Sequence, residues 1–113
     1  MQKREKGFFY EGIAAGYLKK KGYRIIARNY YTRFGELDLI ARDGDYLVFV
    51  EVKYRAGCGG GHPLEAVNWN KIRHIRRSAQ LYLMRCGFPE TTPCRFDVVG
   101  ILGEEIVHIE NAF

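Results

Sequence analysis

Between Gly35 and Arg55 the chain reads GELDLIARDGDYLVFVEVKYR, which puts carboxylates and a lysine where strands should be apolar. Asp38 falls on the first of two strands. Glu51 and Lys53 lie two residues apart on the second, pointing to the face shared by Leu47 and Phe49. The Asp43-Gly44-Asp45 segment between them is a hairpin signal. A loop at Gly44-Asp45 pairs Asp38 with Glu51 and Glu36 with Lys53, whereas a loop at Asp43-Gly44 sets Glu36 against Glu51. Both registers keep the four groups on one face, because slipping by two preserves the side.

Facing carboxylates on an otherwise apolar strand pair repel one another, and burial penalises each. A divalent cation removes both objections. Mg²⁺ or Mn²⁺ takes oxygen ligands, lowers the pKa of a bound water and polarises a phosphodiester. A neighbouring lysine stabilises the charge that builds on the phosphoryl oxygens. Asp38 followed by Glu51-x-Lys53 is therefore a kit for hydrolysing a phosphodiester, with Asp38 and Glu51 as metal ligands and Lys53 as the assisting cation. The plainer alternative is the solvated face of a sheet with Lys53 paired to a carboxylate.

The surrounding elements must position these groups. Lys3 to Lys21 reads as a helix whose apolar stripe is Tyr10, Ile13, Ala14, Tyr17 and Leu18, with Glu11 at the stripe's margin and Gly22 as the stop. Gly12 and Gly16 share a face that could admit another segment closely. Tyr23 to Tyr31 is a strand suited to an edge. Glu36 to Arg42 alternates, with Glu36, Asp38 and Ile40 one way and Leu37, Leu39 and Ala41 the other. Tyr46 to Tyr54 is apolar on both faces through Val50, as a central strand is. After a loop at AGCGGG (56–61) and a short helix from Pro63 to Val67, a longer helix runs from about Asn70 to Cys86. Its core arc is Ile72, Ile75, Ala79, Tyr82, Leu83 and Cys86. Strands from Arg95 to Leu102 and Glu105 to Glu110 follow. The order α-β-β-β-α-β-β predicts a mixed sheet flanked by helices, with the third and fourth strands parallel across a right-handed helical crossover.

The second helix carries Lys71, Arg73, His74, Arg76 and Arg77 in its N-terminal half, the wrong end for positive charge. We expect Lys71, Arg73, Arg76 and Arg77 to hold phosphates, with Gln80 as a further phosphate or base contact. A merely solvated basic face is the alternative. Arg24, Arg28 and Arg33 with Tyr30, Tyr31 and Phe34 form an aromatic and basic patch able to track single-stranded nucleic acid, unless those rings are core. Asp97, in a core strand, reads as a structural carboxylate in need of a partner.

Composition agrees. One domain, residues 1–113, exhausts the length. Eighteen Lys+Arg against 13 Asp+Glu give a net charge of +5, favouring an anionic partner and nucleic acid before membrane. Cys58, Cys86 and Cys94 lack C-x-x-C spacing, which disfavours a disulfide framework or zinc site, and His62, His74 and His108 show no metal or triad spacing. With no apolar signal segment and no run long enough to span a bilayer, we expect a cytoplasmic protein.

The hairpin, the later RRSAQLYL and RFDVVG segments and the closing HIENAF resemble the YraN family of small bacterial proteins, from about Glu11 to Phe113. The resemblance implies the restriction-endonuclease-like fold and a motif order similar to that of archaeal Holliday junction resolvases. It places Asp38, Glu51 and Lys53 in the PD-(D/E)XK active site, without the proline that often precedes the aspartate. Glu11 matches the helix glutamate of resolvase-like members and would complete the metal shell; Tyr10 stands where the family usually has glycine and could narrow access there. By the same analogy the protein would be a homodimer that cleaves DNA, branched or damaged structures among the candidates. The competing classes are a nucleic-acid-binding protein that keeps the fold without turnover, and an interaction module whose hairpin only supports a partner surface.

Overall fold

The first helix ends where three lysines meet a glycine. In the computed structural model, which describes residues 2–55 and 67–113, α1 (Lys3–Lys20) stops in a Schellman turn. Tyr23 N–H donates to the Leu18 carbonyl and Gly22 N–H to that of Lys19, both at 3.0 Å. Gly22 has φ 97°, a conformation that glycine adopts without a Cβ penalty. Three strands follow in a meander: β1 (Arg24–Thr32), β2 (Gly35–Asp43) and β3 (Tyr46–Arg55). Helix α2 (Trp69–Arg85) leads to β4 (Cys94–Leu102) and β5 (Glu105–Ile109). The five-stranded sheet has the order β1-β2-β3-β4-β5, parallel only between β3 and β4. This mixed α/β architecture, with β1 at an edge and β3 at the centre, is the one expected from the pattern of elements. The expected loop at 56–61 and the short helix opening at Pro63, with Cys58 and His62, lie outside the described residues.

Among the described residues, each face of the sheet carries one helix. Ala14, Ala15 and Leu18 of α1 pack on Leu39, Ala41, Val48, Val50 and Val99. Ile75, Ala79 and Tyr82 of α2 pack on Ile40, Leu47, Phe49 and Val98. Two expected faces need correction. The buried row of α1 is Glu11, Ala14, Ala15 and Leu18, with Ile13 36% exposed, so the stripe is rotated and Glu11 lies within it rather than at its margin. The small Ala14 and Ala15 allow that close seating. Among the described residues, Gly12 is approached only by the Arg28 guanidinium, 3.6 Å from where a Cβ would lie, and Gly16 faces open space. In α2, Ser78 is buried and Cys86 exposed, because the helix ends at Arg85 and Gly87, at φ 73°, turns the chain away.

The strict alternation expected of β2 also fails, at one informative place. Leu39 joins the cluster under α1 while Leu37 joins the cluster under α2, although residues two apart on a regular strand share a face. Strand β1 reverses on the same rung. Arg28, paired with Leu39, reaches the α1 side and donates to the Phe8 carbonyl, whereas Tyr30, paired with Leu37, packs on Tyr82. Between Arg28 and Tyr30 stands Asn29 with φ 52°, opposite Asp38 in this register. Asparagine tolerates the left-handed region better than most residues.

Candidate active site

The β2–β3 hairpin closes with Asp43 paired to Tyr46, so Gly44 and Asp45 form the loop, Gly44 at φ 58°. Of the two registers open from sequence, this is the one that sets Asp38 opposite Glu51 and Glu36 opposite Lys53. The ladder itself stops at Leu39–Val50, and the strands part beyond it. In that fork the Asp38 carboxylate accepts the Val52 N–H at 2.9 Å, standing in for a backbone acceptor.

Five elements converge there. From β3, the side chain of Glu51 is only 3% exposed, with Lys53 Nζ 3.3 Å and Lys71 Nζ 3.2 Å from the same carboxylate oxygen, Oε1. From α1 comes Glu11, and from β2 come Glu36 and Asp38; a carboxylate oxygen from each of these three lies within 4.8 Å of the other two. From β1 the Asn29 amide donates to both Glu11 and Glu36. Tyr10, Glu11, Asp38, Glu51, Lys53 and Lys71 are among the lining of an open cleft of about 500 Å³. Tyr10 stacks on Tyr54 at 4.1 Å, a double aromatic wall beside Glu11.

The electrostatics follow from this crowding. Burial and then the nearby Glu51 charge hold the Asp38 carboxyl well above the usual range, against the opposing Val52 amide. Burial also raises Glu11, aided by Glu36 and opposed by the Asn29 amide. Burial alone would lower Lys71; the charge and hydrogen bond of Glu51, with Asp38 and Glu36, outweigh it and raise the ammonium. The donors are hard oxygens, the set that suits Mg²⁺ or Mn²⁺.

The structure thus brings together Asp38, Glu51, Lys53 and Glu11, and adds Lys71, which sequence reasoning assigns to the phosphate-holding helix. Lys71 belongs to the first turn of α2, whose start is capped by the Asn68 side chain accepting the Lys71 N–H at 2.9 Å. Of the remaining candidates, Arg33, Arg76, Arg77 and Gln80 line a separate groove, and Arg73 lines neither. The aromatic and basic patch divides: Tyr30 turns into the core against Tyr82, Arg28 holds Phe8, and only Arg33 and Phe34 join the face of α2. Asn29 escapes the sequence reading; the available signal is an asparagine inside a strand, a position where its β propensity is poor.

A second polar cluster lies elsewhere. Asp97, fully buried, accepts from Arg95, from His108 Nε2 at 2.8 Å, from the Tyr23 hydroxyl and from the Asn111 N–H. The partner that the sequence says this buried carboxylate needs is therefore present. Its partner His108 is brought in by strand pairing, which residue spacing along the chain does not reveal. Cys86 and Cys94 are free thiols, and no helix among the described residues is long and apolar enough to cross a membrane.

Comparison with known proteins places the chain. A family model described as "Uncharacterised protein family UPF0102" matches residues 10–101. A UPF0102 protein of Lachnoclostridium phytofermentans is 52% identical over 113 residues, covering 100% of this chain and 96% of the relative. One from Syntrophomonas wolfei is 49% identical over 116 residues, covering 97% and 98%. The matched span runs from the residue before Glu11 through Asp38, Glu51, Lys53 and Lys71. The chain therefore belongs to the UPF0102 family, the YraN family that its sequence resembles.

Proposed function

We propose that this chain is a divalent-metal-dependent nuclease that hydrolyses phosphodiester bonds in DNA, on the restriction-endonuclease-like version of its mixed sheet. The observation that carries the reading is the meeting of Asp38, Glu51 and Glu11, from three elements, in the fork where the β2–β3 ladder opens, with two lysines against Glu51. Asp38 and Glu11, crowded together and held toward protonation, fit a divalent cation, which offsets repulsion and desolvation at once.

Asp38, Glu51 and Glu11 would hold the ion, which when bound supplies a water of lowered pKa and positive charge toward the phosphate oxygens. Lys53 extends from the same strand as Glu51 and presents an ammonium where charge develops on the phosphoryl group. Lys71 brings a second ammonium from the start of α2. Asn29 keeps Glu11 and Glu36 together, and the Tyr10–Tyr54 stack limits access from one side. A homodimer would present two such clefts to a branched junction.

One feature favours a second reading. Lys53 and Lys71 compensate Glu51 without any cation, which suits a nucleic-acid-binding protein that keeps the fold without turnover. Incubating the purified protein with linear, nicked and four-way DNA plus Mg²⁺ or Mn²⁺ separates the two. We expect cleavage by the wild type that Glu51→Gln abolishes. No cleavage by the wild type, with DNA affinity unchanged in Glu51→Gln, establishes the second reading instead.

A further inference from the structure

A second groove, of about 920 Å³, lies between α2, the β1–β2 turn and the start of β4. Phe34, Phe88 and Phe96 line it, and Arg33, Arg76 and Arg77 add three guanidinium groups. Among the described residues, none of these arginines lies within 4.0 Å of a carboxylate. Their neighbours are rings: Arg33 and Arg77 stand 4.9 and 5.6 Å from the Phe34 centroid, and Arg76 stands 5.9 Å from that of Trp69. Among the described residues, Glu90 is the one carboxylate of the lining. The turn that presents Phe34 is fixed, since Thr32 Oγ1 accepts the Phe34 N–H at 3.0 Å and lies 2.7 Å from Ser78 Oγ on α2.

We infer that this groove takes unpaired bases of a nucleic-acid strand. A base is a flat ring that gains from an aromatic wall, and the phosphates on either side of it need cations that are not already neutralised. Bases stacked inside a duplex cannot reach recessed rings without leaving the stack. A second copy of the chain is a poorer occupant, because a two-fold contact would press like-charged guanidinium groups together. Arg77 lies six residues beyond Lys71, roughly 9 Å along the helix axis, so one strand can engage both groove and cleft. The inference rests on the nucleic-acid reading of the protein, narrows its substrates to DNA with an unpaired stretch, and does not require turnover.

The test is fluorescence anisotropy in EDTA with the full chain, using a labelled oligothymidylate, an abasic strand of equal length and a blunt duplex of equal length. The oligothymidylate should bind at least about tenfold more tightly than either of the others, and Phe34→Leu should weaken it by roughly five- to a hundredfold with little change for the duplex. Duplex or abasic affinity equal to that of the oligothymidylate overturns the inference, and needs no variant. So does a Phe34→Leu protein of unchanged thermal stability and unchanged oligothymidylate affinity, or a dimer in sedimentation that Phe34→Leu dissociates without altering that affinity. Absence of cleavage with metal would sink the nuclease reading and leave these affinities in place.

Discussion

The Asp38 carboxylate closes the hairpin that it also interrupts: it accepts the Val52 N–H at 2.9 Å, one step beyond the last ladder pair. The same oxygen-rich group is held toward its protonated form by burial and by Glu51. A carboxyl raised above its unfolded pKa stabilises the fold when protonated and costs stability once pH rises through the folded value. An asparagine in place of Asp38 keeps an acceptor for the Val52 N–H without the charge. Asp38→Asn should therefore raise the melting temperature at neutral pH in EDTA by a few degrees. Mg²⁺ in hundredfold excess over its Kd should stabilise the wild type by about 2.7 kcal/mol, and Asp38→Asn with Glu51→Gln should lose that response. Metal binding that survives the double substitution in calorimetry would mean that the ligands are wrongly assigned.

Asn29 combines a backbone and a side-chain role that two substitutions separate. A glycine at this position can keep φ 52° but loses the amide to Glu11 and Glu36. An alanine loses the amide and strains the backbone as well. Urea unfolding should place Asn29→Ala below Asn29→Gly by about 1–2 kcal/mol, with Asn29→Gly itself below the wild type. Equal stability of the two variants would remove the left-handed backbone from the account.

Asp97 predicts the acid limb. Burial raises it, yet His108, Arg95 and the Asn111 amide together hold the carboxyl down to about 2, from a usual 3.8. A depressed carboxyl stabilises the fold above its unfolded pKa, and that contribution fades as pH falls through the folded value. The wild type should lose about 2 kcal/mol between roughly pH 4 and pH 2 from this group. Asp97→Asn should flatten that limb and lower stability at neutral pH by about 1.5–3 kcal/mol, because Arg95 and His108 lose a charged acceptor while Arg95 keeps Asp43 and Glu110.

The basic face of α2 makes a separate claim. Arg73, Arg76 and Arg77 are exposed, so replacing all three with alanine should leave folding nearly unchanged. If each holds a phosphate, the slope of log affinity against log salt should fall by about 0.7–0.9 per arginine removed. An unchanged slope would assign those arginines to solvent.

The order and pairing of elements can be read from the chain because β3 is apolar on both faces, Gly22, Gly44 and Gly87 mark stops and turns, and α2 needs a crossover. Asp38, Glu51 and Lys53 are visible because charge on a buried hairpin is costly. Glu11 is visible only as a margin residue, since a stripe drawn through Ile13 and Tyr10 misses that Ala14 and Ala15 seat the helix on its glutamate side. Lys71 stands out for its charge, without Glu51 as its partner, because no local pattern tells which part of a helix start meets the end of a distant strand pair. His108 and Asp97 pose the same difficulty, 11 residues apart along the chain and in contact through the β4–β5 pairing.

The rung shared by Asn29 and Asp38 has an evolutionary reading. Both strands reverse their faces there, so Tyr30 and Leu37 enter the core under α2 while Glu36 and Asp38 gather beside Glu11. A residue inserted or deleted in either strand near this rung would turn the hydrophobic pair outward and scatter the carboxylates in the same event. Substitutions can tune the cleft one side chain at a time, but length changes here cannot. Lineages that drift freely in the lengths of their loops should keep the counts of residues from Asn29 to Thr32 and from Gly35 to Asp38 constant.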